Sequence, residues 1–213
     1  LAALFRAPAV MARRVSPMVL AASIALAAPL LAGTAQAFNT VIIDAGHGGH
    51  DLGANDSLVY EKHINLDVAR RLEIALKAQG FNVVMTRDRD NFVPLDGRAA
   101  IANRYRNAIF VSIHFNSSWK NKVSGIETFY LSSSGRGLAS AVQNTLIRNL
   151  GAVDRGVKTA NFVVLKKSRH PAILIEGGFV SNKTEREAMT DPRFRQLLVD
   201  SVAGAIAGMR RKL

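Results

Sequence analysis

The chain has 213 residues, 28 of them Lys or Arg and 16 Asp or Glu, for a formal charge of +12, and 48% of its residues are hydrophobic. That length fits one ordinary domain with a short appendage, and the apolar share excludes a disordered chain. The sequence holds no cysteine, which excludes disulfide stapling, thiolate metal ligands and a cysteine nucleophile. Any metal site must then be built from histidine and carboxylate.

From Met11 the chain reads MARRVSPMVLAASIALAAPLLAGTAQA. A basic start at Arg13 and Arg14, an apolar stretch from Met18 to Leu31 and small residues at Ala35 and Ala37 are the layout of a secretory signal peptide, with cleavage expected after Ala37. Pro29 interrupts the apolar stretch, which is shorter than the roughly 20 residues of a membrane span. Residues 1–10 fit neither a leader nor a fold, so Met11 is read as the start; the paired arginines hint at twin-arginine export. The expected product is a catalytic domain over residues 38–213. Losing Arg6, Arg13 and Arg14 leaves 25 basic residues against 16 acidic, a formal +9. Such an excess favours a polyanionic partner. For an exported protein that is cell wall or membrane surface; without a basic stripe interleaved with aromatics, no nucleic-acid partner is expected.

The mature region reads as alternating strands and helices. Thr40–Asp44 is a short β-branched run. His63–Gln79 carries Ile64, Val68, Leu72 and Leu76 at helical spacing and stops at Gly80. Phe81–Thr86 reads as a strand, Leu95–Tyr105 as a helix, Ile109–Phe115 as a buried strand, and Gly125–Leu131, with its period of two, as a strand with one wetter face. A helix follows over residues 137–150, ended by Gly151. Phe162–Leu165 and Ala172–Ile175 read as two more strands, and a last helix places Phe194, Leu198, Val202, Ile206 and Met209 on one stripe. Six strands interleaved with helices predict an α/β sandwich around a largely parallel sheet.

In open α/β sheets the reactive crevice lies beyond the carboxyl ends of the strands. Three strands here run into candidate ligands or bases, at His47, His114 and Glu176, and Glu61 stands just ahead of the first helix. Two imidazoles and a carboxylate form a common catalytic zinc set. They leave a position open for water, whose pKa the metal lowers from about 15.7 to near 7. His47, Glu61 and His114 fit the ligand roles, and Glu176 fits a base that takes the water's proton and passes it to a leaving amine. Gly46, Gly48 and Gly49 around His47 permit positive φ and are read as clearing a path for a bulky substrate. His50 is expected to face solvent, His63 to pack at a helix end and His170 to have no role. Glu73, Glu127, Glu185 and Glu187 are expected to be solvated.

DAGHGG at 44–49, Glu61 in YEKH, SIHFN at 112–116 and EGGFVSN at 176–182 resemble the zinc-dependent N-acetylmuramoyl-L-alanine amidases that bacteria use in cell separation and wall turnover. TRDRD at 86–90, LDGRAAIAN at 95–103 and DRGVKTANFVVL at 154–165 match as well, so the resemblance spans roughly residues 41–208. It implies a phosphorylase/hydrolase-like three-layer sandwich with a six-stranded, mostly parallel sheet flanked by helices. It also implies one zinc ion held by His47, Glu61 and His114, a catalytic Glu176, and cleavage of the amide between the lactyl group of N-acetylmuramic acid and L-alanine of the stem peptide. Asn116 and Asn182 lie inside matched motifs, where substrate contact and turn stabilisation are both open.

Division-linked relatives carry a long insertion with a plugging helix after the fourth strand. Here that connection is SSSGRG, 132–137, so an uninhibited site needing no activator is expected. The expected setting is the periplasm or extracellular wall, with peptidoglycan as partner, no membrane span after cleavage and a monomeric state. A zinc-dependent wall peptidase or a non-catalytic peptidoglycan-binding module are the readings from other classes.

Overall fold

Thr40–Ala45 (β1) is buried at every position, as a strand covered on both faces must be. It lies inside a six-stranded sheet of order β4-β1-β5-β8-β6-β7. The other strands are Asn82–Met85 (β4), Ala108–Asn116 (β5), Ile126–Tyr130 (β6), Asp154–Thr159 (β7) and Ala172–Phe179 (β8). All neighbours run parallel except β6 and β8. Asn55–Asp56 (β2) and Val59–Tyr60 (β3) form a separate small hairpin. The computed structural model of the protein describes residues 38–210 and 212. The expected leader, the start at Met11 and cleavage after Ala37 lie outside the described residues. Among the described residues no helix is long and apolar enough to cross a membrane.

Strand alternation divides the side chains between two cores. Val41, Ile43, Ile109, Val111, Ile113, Phe115, Ile173 and Ile175 face a large core closed by three helices: Glu61–Ala78 (α1), Ser133–Leu150 (α3) and Pro192–Met209 (α6). Ile42, Phe110, Ala172 and Leu174 face a smaller one, covered by Leu95–Ala102 (α2) and Val163–Lys167 (α4). Helices on both sides of the sheet make the three-layer sandwich that the sequence implies. By the same alternation Asp44, Ser112, His114 and Glu176 share the face of Phe110, but lie nearer the carboxyl ends of their strands. Two short helices cover only the apolar part of that face. The polar part is therefore left as a crevice.

Several element bounds differ from the sequence reading. Val163–Lys167 is helical, and the sixth strand is instead Asp154–Thr159. That strand is an edge with one hydrogen-bonded neighbour, so DRGVKT needs no apolar alternation and leaves no period to read. The run VVL is β-branched, yet packing onto the small core overrides local propensity. Helix α3 begins at Ser133, so most of the segment read as a connection is its first turn. Lys183–Thr190 (α5) was not anticipated. Its mean polarity hides it, and Asn182 caps its first turn with a side-chain oxygen on the Glu185 amide at 3.2 Å.

Candidate functional site

Glu61 opens α1 and is 3% exposed. Its carboxylate is held from every side: Oε2 accepts from the Ala54 amide at 2.8 Å, and Oε1 from the Phe115 amide at 3.0 Å and Asn65 Nδ2 at 3.1 Å. Two imidazoles close on the same group, with His47 Nε2 at 3.1 Å from Oε2 and His114 Nδ1 at 2.9 Å from Oε1. Burial alone would raise this carboxyl, but the hydrogen bonds from His114 and His47 hold it well below the usual carboxylate range. One donor atom from each of His47, Glu61 and His114 lies within 4.8 Å of the others.

His47 has a further partner. Its Nδ1 sits 2.9 Å from Asp51 Oδ2, and Asp51 is anchored by the Gly53 amide at 3.2 Å. Burial lowers the His47 pKa, but Glu61 and Asp51 outweigh it and raise it overall. With Nδ1 directed at a carboxylate, Nε2 is the nitrogen presented to a metal, the arrangement that fixes tautomer and ring orientation at histidine–metal sites. His47 also adopts φ 60°, a left-handed conformation unusual for a residue with a side chain.

Two buried arginines hold that conformation. Arg98 donates to the Ala45 carbonyl at 2.7 Å, the His47 carbonyl at 2.8 Å and Asp44 Oδ1 at 2.9 Å. Arg87 donates to the carbonyls of Ala45, at 2.8 Å, and Gly46, at 2.8 Å. Asp44 is completed by Thr86 at 2.6 Å and Ser112 at 2.7 Å. The motifs TRDRD and LDGR thus grip the backbone that carries His47; their sequence signal was only a family match.

The glycines serve a different end from the one expected. A Cβ on Gly46 would come 2.3 Å from the His114 ring, and one on Gly48 would come 2.3 Å from the Asn91 carbonyl. Gly53, at φ 66°, would strike Glu61 Oε2 at 2.5 Å. The protein itself fills the space the side chains would take. Close packing of the ligand cluster, rather than substrate access, requires the bareness at these positions.

Glu176 lines the same cavity as His47 and His114, a crevice of about 570 Å³ that Phe92, Val93, Leu95 and Phe162 also line. It pairs with His114 across β5–β8, and its Oε2 is buried with no hydrogen-bond partner. Burial, then the charges of Glu61 and Glu127, push its carboxyl well above the ordinary value of 4.5.

Asn116 donates to Glu127 at 2.8 Å while its oxygen accepts from the Ser117 amide at 2.7 Å. Asn182 caps α5 and donates to the Val123 carbonyl at 3.2 Å. Both side chains thus have fold-stabilising contacts, and those of Asn182 occupy its oxygen and its amide group. Glu127 is not solvated: it is 4% exposed and bonded to Asn116, Arg155 and Lys158. Glu185 is not solvated either, since it accepts from the Gly125 and Phe179 amides, both at 2.7 Å. His50 faces solvent as expected, against Phe92. His63 is exposed and packs edge-on against Tyr60 at the start of α1, and His170 reaches the Ala102 carbonyl at 3.0 Å.

Sheet and crevice define a three-layer α/β domain with a two-histidine, one-glutamate cluster beside the strand ends. The model of the N-acetylmuramoyl-L-alanine amidase family matches residues 41–208, and the chain belongs to that family. It is similar to the crystal structure of N-acetylmuramoyl-L-alanine amidase from Clostridium difficile 630, with TM-score 0.79 and 35% identity over 82% of this chain and 97% of that one. It is 39% identical over 171 residues to the uncharacterized protein YqiI of Bacillus subtilis (strain 168), covering 78% of this chain and 82% of that protein. It is 36% identical to the N-acetylmuramoyl-L-alanine amidase LytC of the same strain over 78% of this chain, which spans only 34% of LytC.

Proposed function

We propose that the mature protein, residues 38–213, is an exported, zinc-dependent hydrolase of peptidoglycan that cleaves the amide between N-acetylmuramic acid and L-alanine. The observation that carries this reading is a preformed His47–Glu61–His114 cluster beside Glu176, whose buried Oε2 has no hydrogen-bond partner among the described residues.

The residues fit a zinc ion. Two imidazoles and one carboxylate converge within ligand reach, no thiolate competes, and Asp51 supplies the outer-shell anchor that such histidines need. When bound, zinc supplies Lewis-acid polarisation of a carbonyl and lowers the pKa of a coordinated water. The work of the chain itself is to hold, orient and move protons. Glu176 takes the proton of the attacking water on its carboxylate and returns it to the departing alanine nitrogen. Burial, which raises its carboxyl above the ordinary value, favours the second task, since it makes the protonated acid easier to form. Asn116 is placed to support this side of the crevice through Glu127, and we assign Asn182 to its turn.

Export through a leader ending at Ala37 and residence in periplasm or wall agree with this substrate, as does the name "probable cell wall amidase" carried by LytH of Staphylococcus aureus, 30% identical over 170 residues. The connection between β6 and α3 holds only Leu131 and Ser132, too short for a plugging helix. Activity without an activator is therefore expected, with a monomer as the default state.

Digesting purified peptidoglycan and weighing the products tests the assignment. Free stem peptides beginning with alanine support an amidase; shortened stems would mean a peptidase, and no products a binding module. Chelator should abolish turnover and zinc restore it. Glu176→Gln should cost about 10²- to 10⁴-fold in kcat with metal still bound, and near-native turnover of that variant would remove Glu176 from the mechanism.

A further inference from the structure

One buried carboxylate carries no proton in that chemistry. Glu127 neighbours Glu176 across β6–β8, so it lies on the same face about one strand spacing away, ~4.8 Å. It is nearly inaccessible, yet two cations converge on its Oε2: Arg155 Nε at 3.1 Å and Lys158 Nζ at hydrogen-bonding contact. The trio carries one negative and two positive charges. Burial of a carboxylate calls for one partner; the second leaves a surplus of positive charge beside the cavity.

We propose that Lys158 and Arg155 form a carboxylate-binding subsite that selects stem peptides with a free acid on the residue following the alanine. This rests on the amidase reading and adds the specificity of the same site. Both cations are open to an incoming group, their side chains being 41% and 31% exposed. Lys158 has three donors and the Arg155 guanidinium five. Among the described residues, each makes a hydrogen bond only to Glu127. The heads are also pre-placed. Arg155 lies 5.0 Å over the Phe179 ring, and Lys158 6.0 Å from the Phe129 ring. Phe129 in turn packs edge-on against Phe162, which lines the cavity.

Position matches reach. Extended chain spans about 3.3–3.6 Å per residue, so a carboxylate one residue beyond the amide nitrogen held near Glu176 arrives at the neighbouring strands. Elsewhere the cavity is lined by Phe92, Val93 and Leu95, and its lining cation Arg98 is committed to Asp44 and the Ala45 carbonyl, which suits the neutral lactyl-sugar side. Glu127 is the positioning residue: it keeps both cations from solvating freely, so the entropy of ordering them is lost before the ligand arrives.

Two soluble muramoyl peptides that differ only in a carboxylate or a carboxamide on the second residue test this on the zinc-loaded protein. The wild type should prefer the acid by about tenfold or more in kcat/KM, mainly through KM. Lys158→Met should bring that ratio close to one, and Lys158→Arg should retain it. Equal turnover of both peptides by the wild type overturns the subsite without needing any variant. So does a Lys158→Met that loses activity equally on both and keeps the preference, which marks a structural role only. If the wild type cleaves neither muramoyl–alanine bond, the amidase assignment itself fails, an outcome distinct from equal cleavage.

Discussion

Glu176, the proposed base, stands against stability. Its Oε2 is buried and without a hydrogen-bond partner among the described residues, and its carboxyl is pushed above the ordinary value of 4.5. A group whose folded pKa is raised favours the fold fully below the unfolded value, and that contribution is lost as pH rises through the folded one. In chelated protein, Glu176→Gln should therefore melt at a higher temperature than wild type, with the gap opening from about pH 4.5 upward. A gap that is constant with pH would mean the carboxyl is better solvated than its burial implies. The candidate residues were legible where chemistry is rare. His47, Glu61 and His114 stood out as a metal set and Glu176 as a base, and all four line or adjoin one crevice. Asp51 and Glu127 did not stand out, because an acid four residues after a histidine, or on an alternating strand, reads as ordinary surface until burial is known.

At the level of elements, the site depends on how the loop after β1 is clamped. Asp44 and Arg98 form an ion pair with side chains 1% and 2% exposed, and Arg98 also carries the His47 carbonyl. Removing one partner of such a pair leaves an uncompensated buried charge and typically costs about 3–5 kcal/mol. Arg98→Met should thus lower Tm by roughly 10 °C and weaken metal binding, because His47 loses its backbone support. Thermal unfolding with and without zinc reads both effects, and a variant as stable as wild type would show the clamp to be dispensable. Helices with a strong apolar stripe, α1 and α6, announced themselves. The edge strand β7 and the short helix α4 exchanged identities in the sequence reading, since one needs no apolar face and the other is fixed by the core it covers.

For the molecule as a whole, a formal +9 on residues 38–213 makes long-range attraction to an anionic wall the expected means of retention. Screening shortens from about 10 Å at 0.1 M salt to about 3 Å at 1 M. Sedimentation with purified wall should accordingly show release of the protein across that range, and retention insensitive to salt would point to a specific contact instead.

The sequence by itself determined the fold class, the large core and the residue types able to hold a metal, because apolar periodicity and uncommon chemical groups are local properties of a chain. Tertiary structure alone decided which glycines are forced by a neighbouring ring, which acids are buried and which arginines hold a carbonyl rather than a carboxylate. Those are properties of distances between residues far apart in sequence, such as the 54 positions that separate Asp44 from Arg98, and periodicity carries no record of them.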